Sequence, residues 1–74
     1  MDNVTIITLE DNKDYILLDE IKNVNDKYLY LSKKDTNEFV IKKEIIEHGT
    51  IYLSGLKNDS EFNEAILLFQ KKNA

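Results

Sequence analysis

The chain has 74 residues, of which 42% are hydrophobic, and its 14 acidic and 10 basic side chains give a net charge of −4. A chain of this length is expected to form a single domain, residues 1–74, and without cysteine it can hold neither disulfides nor thiolate metal sites. Every basic residue is lysine, and an acidic chain without arginine lacks the clustered positive charge that nucleic-acid binding requires.

The first two segments of the chain predict a β-hairpin. Residues 4–9 are rich in β-branched side chains and show no helical spacing, which is typical of a strand. A polar turn follows, and residues 14–21 read as the second strand. Asp19 and Glu20 break the alternation of this strand, and a β-bulge at that point would return Ile21 to the buried face.

The third strand, residues 27–32, alternates tyrosine with leucine. Successive side chains of a strand point to opposite faces, so Tyr28 and Tyr30 share one face while Leu29 and Leu31 share the other. A buried tyrosine must also satisfy its hydroxyl group. We therefore expect the leucines to lie in the core beneath a helix and the tyrosines to point outward.

Residues 38–43 predict a fourth strand, with Phe39 and Ile41 facing inward. The strand is extended through residue 46 in one interpretation. In the competing interpretation, residues 42–47 form a short helical turn, because the intrinsic propensities of these residues do not decide between the two.

A glycine marks the next turn. Gly49 supplies the positive φ that a tight hairpin requires, and residues 51–54 return as the fifth strand. His48 precedes this glycine and is the only histidine of the chain. We expect it to be a solvated turn residue.

Residues 59–72 predict the one helix. Asp59 or Ser60 is expected to cap its N-terminus. Its apolar residues recur at i, i+3, i+4 and i+7, namely Phe62, Ala65, Ile66 and Phe69. The predicted fold class is therefore α+β, an antiparallel meander of about five strands covered by one C-terminal helix. The bulge would curl this sheet into a half-barrel.

With these elements in place, the chain resembles the YrzB-like family of small acidic bacterial proteins of unknown function. The resemblance spans nearly the full length and is carried by strand, turn and helix-start segments: Ile7-Thr8-Leu9-Glu10-Asp11, Leu18-Asp19-Glu20-Ile21, Lys27-Tyr28-Leu29-Tyr30-Leu31, Phe39-Val40-Ile41, and Asp59 with Glu61-Phe62. The family usually has Asp-Gly where His48-Gly49 stands here. The resemblance implies the fold and a bacterial cytoplasmic location, but no activity.

Residues that could carry chemistry are sparse. A zinc site needs three or four ligands, and His48 stands alone in a chain without cysteine. Glu10, Asp11 and Asp14 could bind a hard cation weakly, but they lack the spacing of an EF-hand loop and read as a solvated turn. Phosphate-binding and nucleophile motifs are absent from the sequence. We therefore expect no enzymatic activity, no metal and no cofactor.

The tyrosines give the best functional hypothesis, since an exposed aromatic patch is typical of interfaces. The chain is predicted to be a protein-binding module that uses Tyr28, Tyr30 and Tyr52 on a sheet face or strand edge, with Tyr15 as a further member of the patch. Packing at the sheet edge is the structural alternative. Self-association through an exposed strand edge is a further possibility.

The second functional hypothesis is an acidic inhibitor, from a phage or mobile element, that covers a basic nucleic-acid-binding surface. The N-terminal residues lack the basic and apolar segments of a signal peptide, and no apolar run approaches the ~18 residues of a membrane span, so a cytoplasmic location without membrane contact is expected.

Overall fold

The computed structural model describes residues 4–24 and 26–73, and within these ranges the chain forms five strands followed by one helix. The elements are β1 (Ile6–Thr8), β2 (Asp14–Asn23), β3 (Asp26–Lys33), β4 (Phe39–Glu47), β5 (Thr50–Ser54) and α1 (Asp59–Lys72). The strands pair antiparallel in the order of the sequence. The predicted meander and helix are confirmed. Because β4 continues to Glu47, the helical interpretation of residues 42–47 is wrong.

A β-bulge interrupts β2 near the predicted position. Leu17 and Asp19 pair with consecutive residues of β3, so Leu18 is the extra residue, one position before the predicted Asp19. Leu18 is half exposed. Beyond the bulge, Ile21 pairs with Tyr28 and packs on the helix side of the sheet. The bulge thus changes which face the later residues of β2 present, as predicted.

The helix covers the tyrosine face of β3. Tyr28 and Tyr30 are 1% and 0% exposed, and they form a buried cluster with Ile41 and Ala65. The expectation that these tyrosines point outward is therefore wrong. The Tyr30 hydroxyl donates to the Ala65 carbonyl oxygen at 2.8 Å, and the Tyr28 hydroxyl donates to Glu61 Oε2 at 3.1 Å. The helix thus supplies the hydrogen-bond acceptors for both tyrosine hydroxyls. Without these acceptors, burying the hydroxyls would be costly.

The leucine face is buried as well, without a helix. Leu29 and Leu31 form a second cluster with Tyr15, and all three are less than a tenth exposed. Leu9, beside the first turn, and Leu53, on the last strand, line one depression over this cluster. Opposite ends of the meander therefore approach each other across the leucine face. This curl is the predicted half-barrel, and the leucine face is its concave side.

The N-terminus of α1 is fixed to the sheet through Glu61. The Glu61 N–H donates to Asn58 Oδ1 at 2.9 Å, so Asn58 is the N-cap and the predicted caps, Asp59 and Ser60, lie inside the helix. Lys43 Nζ donates to Glu61 Oε2 at 2.9 Å. The hydrogen bond from Lys43 is the main cause that lowers the pKa of Glu61. One carboxylate therefore joins the helix cap to β4.

The C-terminal half of α1 is held by stacking and by an ion pair. The rings of Phe69 and Tyr30 stack with centroids 4.7 Å apart. Lys72 Nζ donates to Asp19 Oδ1 at 2.7 Å, which lowers the pKa of Asp19.

Phe62, predicted to lie in the buried stripe of α1, is 42% exposed. Within the described residues, no helix is both long and apolar enough to cross a membrane.

Candidate functional site

The three tyrosines predicted to bind a partner do not form one patch. Tyr28 and Tyr30 are buried beneath α1 and cannot touch a partner of the folded chain. Tyr15 is buried on the concave side. Only Tyr52 reaches the surface, with 49% of its side chain exposed on β5. A partner-binding role for Tyr52 stays a prediction, and it directs attention to the last hairpin.

The hairpin of β4 and β5 exposes large apolar side chains on both faces of the sheet. Ile46 and Ile51 are cross-strand partners, 65% and 61% exposed, and they lie on the concave side. Tyr52 pairs with Ile45 and lies on the helix side. We call residues 46–54 the edge hairpin. The sequence predicted β5 at nearly the observed position but did not single out Ile46 and Ile51. The exposure of these two side chains depends on how far the hairpin extends.

The outer strand of the edge hairpin is an unprotected sheet edge. Natural proteins protect edge strands with lysine, proline, bulges or very short strands. β5 reads Thr-Ile-Tyr-Leu-Ser, which contains no charged residue and no proline, and its register with β4 is uninterrupted. The opposite edge, β1, is only three residues long. The two edges of the sheet therefore differ, and β5 is the one open to pairing.

The hairpin register determines which backbone groups of β5 face outward. Glu47 and Thr50 flank a two-residue loop and form the closing pair of the ladder. In an antiparallel ladder, hydrogen-bonded and non-hydrogen-bonded pairs alternate, and the closing pair of such a loop is hydrogen-bonded. The backbone groups of Ile51 and Leu53 are therefore directed to the open edge. Those of Tyr52 are directed to β4.

The tip of the edge hairpin is a tight turn with two residues at positive φ. His48 and Gly49 have φ of 50° and 79°, the positive values that a type I′ turn requires at both central residues. A Cβ added to Gly49 would meet no atom within 4 Å, so the demand for glycine comes from the backbone. The positive φ of His48 was not predicted. The two-residue length of the loop is the signal that could have shown it.

Open depressions on the concave side include two that the described residues line. The smaller, about 290 Å³, lies beside β5 and is lined by Leu9, Glu10, Asp11, Tyr15, Val40, Lys42 and Leu53. The larger, about 520 Å³, is lined by Glu20, Lys22, Asp26, Lys27, Glu44 and Ile46. In the larger one, Lys27 Nζ lies 2.7 Å from Glu20 Oε1 and 3.9 Å from Glu44 Oε2. The lysine is therefore already engaged by two carboxylates.

The acidic residues of the first turn hold the turn together. Asp11 accepts from the Lys13 N–H at 2.9 Å and from the Tyr15 hydroxyl at 2.8 Å, and the first of these bonds is the main cause that lowers the pKa of Asp11. Thr8 Oγ1 donates to Asp14 Oδ1 at 2.9 Å. Over the described residues, no three histidine or carboxylate side chains are grouped so that they could hold a metal ion.

Comparison of the chain with known protein families, with curated proteins and with solved structures found no match. The resemblance to the YrzB-like family therefore stays a prediction.

Proposed function

We propose that the chain is a non-enzymatic protein-binding module that receives an extended segment of a partner protein along β5. The observation that carries this proposal is the edge itself, an uncharged five-residue strand with Ile51 and Tyr52 exposed on its two faces. In strand addition, backbone hydrogen bonds supply affinity and alternate side-chain contacts supply specificity. β5 offers both kinds of contact.

The two faces of the edge favour a segment in which apolar residues occur on both sides. On the helix side, an added strand meets the ring of Tyr52. On the concave side, it meets Ile51 and the depression lined in part by Leu9, Val40 and Leu53. β5 itself carries no charge, so charged side chains of a partner segment gain no ion pair from the strand and lose hydration against Ile51 and Tyr52.

The expected affinity is modest. Fully burying an aliphatic or aromatic side chain contributes about 1.5–3 kcal/mol, and Ile51 and Tyr52 each still expose about half of their surface or more. A single short strand also buries less than the roughly 1,600 Å² of a standard interface. The module should therefore bind its partner reversibly, with Tyr52 as the main aromatic anchor.

The shifted carboxylates support a non-enzymatic role. Hydrogen bonds lower the pKa of Asp11, of Asp19 and of Glu61, and each of these bonds fastens a turn or a helix end. A catalytic acid or base would instead need a pKa near the working pH and a partner in a cleft.

The acidic-inhibitor alternative is less favoured because lysines accompany several of the carboxylates. Lys27, Lys43 and Lys72 each lie within ion-pair distance of an acidic side chain. Such pairs reduce the negative potential that a mimic of phosphate charge would need.

Affinity capture from the native host tests the proposal with three forms of the chain. Tyr52→Lys places a charge on the edge hairpin, and Leu67→Lys makes the same change on α1 at a side chain that is 61% exposed. The proposal predicts a partner that is retained by wild type and Leu67→Lys and is lost with Tyr52→Lys. A partner held equally by all three forms would contradict it, and a basic nucleic-acid-binding protein held in this way would favour the inhibitor alternative.

A further inference from the structure

We propose that, in the absence of another partner, β5 pairs with β5 of a second copy of the chain, giving a symmetric dimer with one continuous sheet. The inference rests on the proposed function in that it uses the same open edge. It deepens that function by naming one occupant of the edge, the β5 strand of a second copy.

The edge is complementary to itself in backbone hydrogen bonding. A two-fold axis through Tyr52, perpendicular to the sheet, places Ile51 opposite Leu53 of the second copy and Thr50 opposite Ser54 of the second copy. Ile51 and Leu53 are the residues whose backbone N–H and C=O groups face outward. An antiparallel hydrogen-bonded pair therefore forms on each side of the axis, with no change in the β4–β5 ladder.

The side chains of the edge fit the same arrangement. Tyr52 of one copy lies directly opposite Tyr52 of the other, in a non-hydrogen-bonded pair, where side chains approach most closely and aromatic pairs are favourable. Tyr52 is 49% exposed and Ile51 is 61% exposed in the single chain, so both have surface left to bury.

Charge does not oppose this register. The strand Thr-Ile-Tyr-Leu-Ser has no ionised side chain, so two-fold pairing brings no like charges face to face. The two copies, each of net charge −4, still repel each other in general. That repulsion is screened by salt, with a Debye length of about 10 Å at 0.1 M. Self-association should therefore tighten as the salt concentration rises.

The size of the contact predicts a weak dimer. One five-residue strand from each copy lies below the standard interface size, so the dimer should dissociate on dilution through roughly the micromolar range. At high concentration the dimer should dominate.

Sedimentation equilibrium of the full chain, over a range of concentrations and at two salt concentrations, tests the inference. Wild type and Leu67→Lys should dimerise alike, and Tyr52→Lys should weaken dimerisation about thirtyfold or more, as expected for the loss of an interface anchor. Ile51→Pro should also give monomer, because it removes an outward-facing N–H that the second copy would need. The variant should still fold, since proline is tolerated on an edge strand where the N–H faces solvent. Circular dichroism should show that each variant keeps the fold.

A wild type that stays monomeric up to about millimolar concentration would overturn the inference, as would a dimer that both edge variants leave intact, or one that weakens with salt. If a variant does not fold, amide exchange of the wild type at low and high concentration shows whether β5 forms the dimer contact. Dimerisation through β5 must slow the exchange of the Ile51 and Leu53 amides. The dimer and the proposed function can be refuted independently. A monomeric chain that still captures a host protein through Tyr52 would refute the dimer alone.

Discussion

Replacing Tyr30 by phenylalanine tests the packing of α1 on the sheet with a change of one oxygen atom. The Tyr30 hydroxyl is buried and donates to the Ala65 carbonyl oxygen at 2.8 Å, while its ring stacks on Phe69. Tyr30→Phe keeps the ring and removes the hydrogen bond. A typical intramolecular hydrogen bond contributes about 0.5–1.5 kcal/mol to stability, so we expect a loss of about 1 kcal/mol.

Urea denaturation measures this loss directly. With an m-value of about 1 kcal/mol/M, expected for a small domain, the midpoint should fall by about 1 M while m stays constant. The melting temperature should fall by about 4–8 °C. Tyr52→Phe is the matched control, because the structure gives the exposed Tyr52 hydroxyl no hydrogen bond within the described residues. If both variants are equally stable, the burial of Tyr30 under the helix is misassigned.

Three further predictions concern the helix, its cap and the hairpin tip. A chain that ends at Asn58 should lose cooperative thermal unfolding, because the helix side of the sheet would be uncovered; melting near the full-length temperature would contradict this. The folded pKa of Glu61 lies below its ordinary value of 4.5, so the stability that the ionised group provides is fully present above that value and is lost as the pH falls through the folded pKa. Stepped-pH denaturation should show a shallower acid decline for Glu61→Gln, and equal declines would refute the assignment. At the tip, denaturation should show that His48→Asn changes stability by no more than about 0.5 kcal/mol, since asparagine tolerates positive φ. Gly49→Val should cost about 1–3 kcal/mol. The reverse order of the two losses would exclude the type I′ turn.

The order and type of the elements could be predicted from the sequence because local signals determine them. The i, i+3, i+4, i+7 spacing predicts α1, and the strands are separated by polar turns. The broken alternation at Asp19 predicted a bulge, which the structure places one residue earlier, at Leu18. The alternation shows that side chains have changed face, but pairing with β3 decides which residue is extra.

The face of β3 could not be predicted because both faces are buried. Alternation separates Tyr28 and Tyr30 from Leu29 and Leu31, but no polar residue among them marks the face toward solvent. The prediction relied on the cost of burying a hydroxyl. That cost is removed by acceptors more than thirty positions away in the sequence, which only the docked helix brings into place.

The candidate site was predictable only in part, for a related reason. Tyr52 was selected from the sequence together with two tyrosines that prove to be buried. The exposure of Ile46 and Ile51 follows from the length of β4 and β5, and the open edge follows from the strand order. Neither property is encoded by a local motif.

Residue-resolved amide exchange along β5 tests the central claim, that this strand is an open edge that accepts another strand. In the dilute single chain, the amides of Ile51 and Leu53 should exchange rapidly, while that of Tyr52 is protected by the ladder to β4. When the edge is occupied, at high protein concentration or in a captured complex, the amides of Ile51 and Leu53 should slow by about tenfold or more and those at the exposed face of α1 should not change. Slow exchange of the Ile51 and Leu53 amides already in the dilute monomer, or binding that leaves these two amides fast, would contradict the account.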